Sequence, residues 1–225
     1  IGDQLVDKIL FQGRAKLGLA RYLRDRSSKE KLTAARKDAI AMLEAVKIPS
    51  PEVMVNSYPF QLSGGMRQRA LIAMALVGDP SLLVADEPGS ALDVTIQAQV
   101  LELLKEHVSR RELAIVYITH NLGVARRVAN TMHVMYAGEI VEKAPVDALV
   151  NNPMHPYTRG LLESIPRLDR SIGEGMEGRV PSFVHPPPGC RFEPRCAHRM
   201  PICSRVSPKA VEVEPNHWVR CYLYS

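Results

Sequence analysis

The sequence predicts an α/β fold with a parallel sheet and a small appended segment. Residues 82–86 (Leu82-Leu83-Val84-Ala85-Asp86) and 113–118 (Leu113 to Ile118) are short unbroken apolar runs. Such runs read as strands buried on both faces. Residues 94–108 between them are amphipathic, with Ile96, Val100, Leu103, Leu104 and His107 on one side. Strand–helix–strand at this spacing makes a right-handed βαβ unit. The third observation is compositional. From about residue 145 prolines accumulate, and all four cysteines lie beyond that point. A stretch so rich in turns buries little apolar surface and needs another support.

The remaining elements follow in order. Ile1, Leu5, Val6, Ile9 and Leu10 recur at helical spacing within residues 1–24. Residues 29–47 form a clearer helix, with Leu32, Ala35, Ala39, Met42, Leu43 and Val46 on one face; Pro49 and Pro51 are expected to end it. Residues 49–62 read as a loop. Ser63 is a good N-cap for a helix whose apolar face holds Ala70, Leu71, Met74 and Ala75. That helix should stop at Gly78-Asp79-Pro80. A short helix is expected over 121–129, and a hairpin around Ala137-Gly138 joins 132–136 to 139–143. Another short helix fits Tyr157–Ser164. Beyond Arg167 the chain reads as turns and short extended pieces.

Composition excludes some classes of function. The 225 residues suffice for one domain with a real core. The net charge of +5 is spread along the chain, without the basic stripe that nucleic-acid binding needs. No run of about 18 apolar residues suggests a transmembrane helix, and no signal-peptide pattern opens the chain. A cytoplasmic protein is expected. Ile1 is not an initiator methionine, so a fragment or a processed chain is expected.

The chemistry centres on Leu62-Ser63-Gly64-Gly65-Met66-Arg67-Gln68-Arg69. Two glycines at a helix start let the backbone come close to a ligand, and the free N–H groups there suit a phosphate. Asp86 and Glu87 end an apolar strand before Pro88, where ligands bind in open α/β sheets. Ser90-Ala91-Leu92-Asp93 follows, then Thr119-His120 at the end of the next strand. In this order and spacing the chain resembles the nucleotide-binding subunit of an ATP-binding-cassette (ABC) transporter, with a P-loop NTPase-like fold. Tyr58-Pro59-Phe60-Gln61 and the tail look like the dipeptide/oligopeptide importer branch.

That resemblance implies roles. Glu87 would orient or deprotonate the attacking water, and His120 would contact the γ-phosphate. Asp86 would hold Mg²⁺ through water. Ser63, Gly64, Gly65 and Gln68 would cover an ATP held mainly by a second ABC subunit, and Asp93 would cross the interface between the two. Residues 1–62 would belong to the helical subdomain that docks on the membrane permease. Residues 63–145 would be the catalytic core, and 146–225 the C-terminal extension. A solute-binding protein outside the membrane would be an indirect partner, nucleic acid would not be one, and the subunit would sit at the cytoplasmic face. A nickel or other solute importer is the alternative to a peptide importer.

Two departures stand out. Gly89-Ser90 replaces the two threonines usual before Ala-Leu-Asp in the resembled family. No G-x-x-x-x-G-K-[ST] phosphate loop occurs, since Gly-Lys is absent from the chain. The chain alone is therefore expected not to hydrolyse ATP, and a truncated half-cassette that completes a partner's site stays open.

Cys190, Cys196, Cys203 and Cys221 are separated by five, six and seventeen residues, without a C-x-x-C pair. A cytosolic compartment argues against disulfides. Four thiolates suit an iron–sulfur cluster, and zinc or free thiols remain alternatives. Some members of the resembled family hold a [4Fe–4S] cluster on such a tail.

Overall fold

The computed structural model describes residues 1–11, 25–89, 92, 94–111, 113–165 and 176–225. It divides into two compact units, Ile1–His120 and Asn121–Ser225.

The first unit contains α1 (Gly2–Phe11), α2 (Lys29–Ala45), α3 (Pro51–Met54) and α4 (Gly64–Leu76), then β1 (Leu82–Asp86), α5 (Val94–Arg111) and β2 (Ala114–Ile118). The apolar face of α2 is the expected one: Ala35, Ala39 and Leu43 are buried, and Val46 follows them into the core. The prolines do not end α2. The helix stops at Ala45, and Lys47, at φ 57°, turns the chain before Pro49 is reached. The expected loop at 49–62 holds α3 and a 3₁₀ turn, Pro59–Gln61. Proline at the first helical position supplies a helical φ without needing a donor, which lets both short turns form. Past α4, Gly78 (φ 103°) and Asp79 (φ 44°) reverse the chain as the Gly-Asp-Pro signal indicates.

β1 and β2 are parallel and in register from Leu82↔Ala114 to Asp86↔Ile118. Leu83, Ile115 and Tyr117 pack onto the core that Leu43, Leu76, Val100 and Leu104 help to form. The opposite face departs from the expectation of burial on both sides. Leu82 is 54%, Val84 60%, Val116 49% and Ile118 47% exposed. An unbroken apolar run has no period of its own, so it does not tell a sheet covered twice from one covered once.

The second unit begins with α6 (Leu122–Val128), whose first turn is capped by Asn121 Oδ1 accepting from Val124 N at 3.1 Å. β3 (Thr131–Tyr136) and β4 (Glu139–Pro145) form the expected hairpin. Ala137 (φ 48°) and Gly138 (φ 86°) are both left-handed, as a two-residue turn of matching twist requires. α7 (Val146–Asn151) and α8 (Pro156–Glu163) follow.

The tail is more ordered than its composition indicates. Two 3₁₀ turns, Glu193–Arg195 and Pro201–Ser204, precede β5 (Val211–Glu214) and β6 (His217–Val219). These strands complete an antiparallel sheet of order β3-β4-β6-β5. Phe192 is 3% exposed and edge-on to Tyr136, with ring centroids 5.1 Å apart. Val219, opposite Glu142 on β4, is fully buried. The tail borrows the core of the hairpin rather than building one. Among the described residues no helix is long and apolar enough to cross a membrane.

Candidate functional site

Three parts of the first unit bring together residues named from the sequence. At the start of α4, Ser63 has extended backbone angles and its Oγ accepts from Met66 N at 3.3 Å. The hydroxyl thus works as an acceptor in the cap, and its own proton remains available to a ligand oxygen. Ser63 and Gly64 are exposed, while Gly65 and Gln68 are half-buried.

The two glycines are unequal. A Cβ at Gly64 would meet nothing nearer than Leu92 Cδ2 at 3.9 Å, whereas one at Gly65 would lie 2.6 Å from Ile96 Cγ2. Gly65 lets α4 approach α5, and Gly64 leaves the outer surface of the turn bare. Ile96 was invisible as a partner in the sequence because it lies 31 positions from Gly65 (96 − 65).

The second part is the pair at the strand ends. Because β1 and β2 run in parallel, their C-terminal ends coincide, and Glu87 N donates to Ile118 O at 2.9 Å. Glu87 has φ 44°, a left-handed conformation that costs a non-glycine residue energy. The turn directs its carboxylate to His120: Oε1 lies 2.6 Å from Nδ1 and accepts the His120 backbone N–H at 3.0 Å. The ionised carboxylate only accepts, so Nδ1 carries the proton and Nε2 is left for another group. His120 is 81% exposed at its side chain and Glu87 35%. The Glu87 charge also reaches Tyr117, whose hydroxyl is pushed above its usual range by burial first and by Glu87 second. Asp86, exposed at the end of β1, stands opposite Ile118.

The third part is the loop after Pro88. Pro88 and Gly89 are buried. A Cβ on Gly89 would come within 2.8 Å of the Gln97 side chain. Glycine at this position, a departure from the resembled family, thus matches the space that α5 leaves. Asp93 lies outside the described residues.

In the second unit the four cysteines line one small pocket, partly open to solvent, with His155 and Phe192 among its walls. None of the four is in a disulfide. Cys190 is pushed up to about 11, by burial first and then by the neighbouring cysteines. Cys196 and Cys221 are raised for the same reasons. Met200 N donates to the Cys203 sulfur at 3.4 Å. Among the described residues, no three His, Cys, Asp or Glu side chains stand at metal-holding geometry.

Residues 8–90 match the ABC transporter family, and residues 141–203 match the oligopeptide/dipeptide transporter C-terminal region. The chain is 44% identical to the dipeptide transport ATP-binding protein DppD of Bacillus subtilis over 99% of its own length and 63% of that protein's. It is 43% identical to the oligopeptide transport ATP-binding protein AppD of the same organism over 100% of this chain and 64% of that one. It thus spans under two thirds of these relatives. An ABC transporter solved in an inward-facing conformation shares the fold, with a TM-score of 0.53 and 24% identity over 72% of this chain and 58% of that chain. One stretch of the chain is thus similar to the ABC transporter family, and a later stretch is similar to the oligopeptide/dipeptide transporter C-terminal region.

Proposed function

We propose that this chain is part of the ATP-hydrolysing, energy-coupling subunit of an importer for dipeptides or oligopeptides. The contact between Glu87 and His120 is the observation that carries this reading. The relatives named as dipeptide and oligopeptide transport ATP-binding proteins support the choice of substrate.

In this reading two ABC subunits close on ATP. The Ser63 hydroxyl and the free N–H groups of Gly64 and Gly65 donate to the γ-phosphate of a nucleotide held by the partner's phosphate loop. Gln68, one turn further along α4, faces the same nucleotide. Glu87 orients the attacking water and takes its proton, a role worth about 10²–10⁴-fold in rate. His120, held by Glu87 through Nδ1, offers Nε2 to the γ-phosphate and donates there when the ring is protonated. Asp86 would hold Mg²⁺, and Asp93 would belong to the interface loop. Residues 1–62 transmit closure to the permease, residues 63–145 carry the chemistry, and residues 146–225 form the extension. The subunit works at the cytoplasmic face of the membrane, and the solute-binding protein acts on it only through the permease.

The four cysteines would be the ligands of a metal group, with a [4Fe–4S] cluster preferred and zinc second. Four sulfurs lining one pocket supply the thiolate donors that such a cluster takes. Raised thiol pKa values fit a site that needs a cation to hold thiolates. When bound, the group would cross-link the tail.

The test is ATP turnover and peptide uptake by the complete importer in vesicles. Glu87→Gln should abolish both while ATP still binds. Unchanged turnover would remove Glu87 from the chemistry, and uptake of nickel rather than peptide would replace the substrate.

A further inference from the structure

The left-handed backbone of Glu87, at φ 44°, persists only where its surroundings fix it. β2 fixes one side. Ile118 O accepts from Glu87 N at 2.9 Å, and the carboxylate accepts the backbone N–H of His120 at 3.0 Å. The other side is Pro88 and Gly89, both buried. Gly89 O accepts from Leu92 N at 3.2 Å. The side chain of Gln97 lies directly on Gly89. A Cβ at Gly89 would stand 2.8 Å from both Cγ and Nε2 of Gln97, and 3.1 Å from its Cδ. Pro88 alone separates Gly89 from Glu87, and its ring locks φ. A shift at Gly89 therefore reaches Glu87 with little slack.

Gln97 is a firm support because α5 is anchored on α4 to either side of it. On one side, Ile96 Cγ2 would lie 2.6 Å from a Cβ on Gly65. On the other, the Arg69 guanidinium donates to Gln99 Oε1, and its Nη1 donates to Lys47 O at 2.7 Å. Val100 follows, 1% exposed in the core. The Glu87 turn thus rests between two supports, the end of β2 and the start of α5.

We propose that Gln97 is a positioning residue for Glu87, its side chain seated against Gly89 so that the turn keeps the Glu87 carboxylate on His120. The inference rests on reading Glu87 as the residue that orients the attacking water. It also gives the glycine at 89 a purpose, since any side chain there would push Gln97 off its seat.

The experiment is steady-state ATP turnover by the complete subunit pair, with kcat, KM for ATP and melting temperature measured together. Gln97→Ala, Gln97→Met, Gly89→Ala and the double variant Gly89→Ala with Gln97→Ala are compared with the unaltered pair. Glu102→Gln, exposed further along α5, is the control. Gln97→Ala should lower kcat by about 10- to 100-fold through misplacement of Glu87. KM should stay within about twofold, because binding of ATP in the ground state is untouched. Gly89→Ala meets only a flexible side chain, so it should displace Gln97 and lower kcat while the melting temperature holds. Gln97→Met keeps the length and volume and should recover most of the rate. In the double variant the new methyl occupies vacated space, so the two losses should not add. Glu102→Gln should change nothing. A kcat within about threefold of the unaltered pair in both Gln97→Ala and Gly89→Ala would overturn the positioning role. So would losses that track a fall in melting temperature across the variants. A Glu87→Gln pair that turns over at the normal rate would instead overturn the reading of Glu87, whatever the Gln97 variants do.

Discussion

Glu87 Oε1 accepts both the Nδ1 proton and the backbone N–H of His120. The acid and the histidine of the candidate site are therefore one unit, held by parallel strand ends and by the left-handed turn at Glu87. Glu87→Gln keeps an oxygen that can accept the same two hydrogen bonds and removes the base. We expect phosphate release by the complete subunit pair to fall by about 10²–10⁴-fold, with nucleotide binding preserved. A rate within threefold of the unaltered pair would count against the assignment.

The two glycines of α4 should respond oppositely. Gly65→Ala drives a methyl into Ile96 and is expected to destabilise the first unit by about 1–3 kcal/mol. Gly64→Ala meets open space and should change stability by under about 0.5 kcal/mol. Urea titrations give both numbers. The combination of Gly65→Ala with Ile96→Ala should recover part of the loss in a double-mutant cycle; additive losses would place the strain elsewhere.

Ser63 separates folding from ligand binding. Ser63→Ala removes the cap on Met66 N and should cost about 0.5–2 kcal/mol. Ser63→Asp keeps an acceptor at the cap and adds a negative charge at the phosphate position. Its melting temperature should match that of the unaltered chain while ATP turnover of the pair collapses. Turnover at the normal rate in Ser63→Asp would take the γ-phosphate away from this turn.

His155 gives the second unit a pH dependence. Burial depresses its pKa to about 4, partly opposed by the charge of Glu142. The unfolded ring, near the ordinary 6.5, therefore takes up a proton before the folded one. The contribution is complete above about pH 6.5 and is lost as pH falls toward 4, amounting to roughly 3 kcal/mol over that window. His155→Asn keeps an acceptor for Tyr157 N but does not titrate, so its stability between pH 7 and 4 should decline less steeply. Parallel curves for the two proteins would remove His155 as the cause.

Local chemistry was readable in the sequence where its partners lie a few residues away. The Ser63 cap, the Ala137-Gly138 turn and the order β1-α5-β2 all follow from neighbouring residues. The bare face of β1 and β2 was not readable, because Leu82 and Val84 are as apolar as Leu83 between them, which packs onto the core. β5 and β6 were missed for a related reason. His217-Trp218-Val219 is too short to carry a period, and it becomes a strand only because β4 offers it an edge. Of the candidate site, residue identities came from motif order, but the Glu87–His120 contact and the Gln97 packing against Gly89 depend on the tertiary path. Glu142 looked like an ordinary strand carboxylate, and its buried partner His217 is 75 positions away.

That separation also bears on the order in which the second unit folds. Cys190, Cys196 and Cys203 are fixed by short-range turns, such as the Cys190 N to Cys203 O bond of 2.7 Å. Cys221 instead arrives with contacts that span 65 to 75 positions. Short loops close before long ones, since closure entropy rises with the logarithm of length. The three-thiol cup therefore forms early and stands open until the tail comes in, so Cys221 closes a pocket whose other walls are already built.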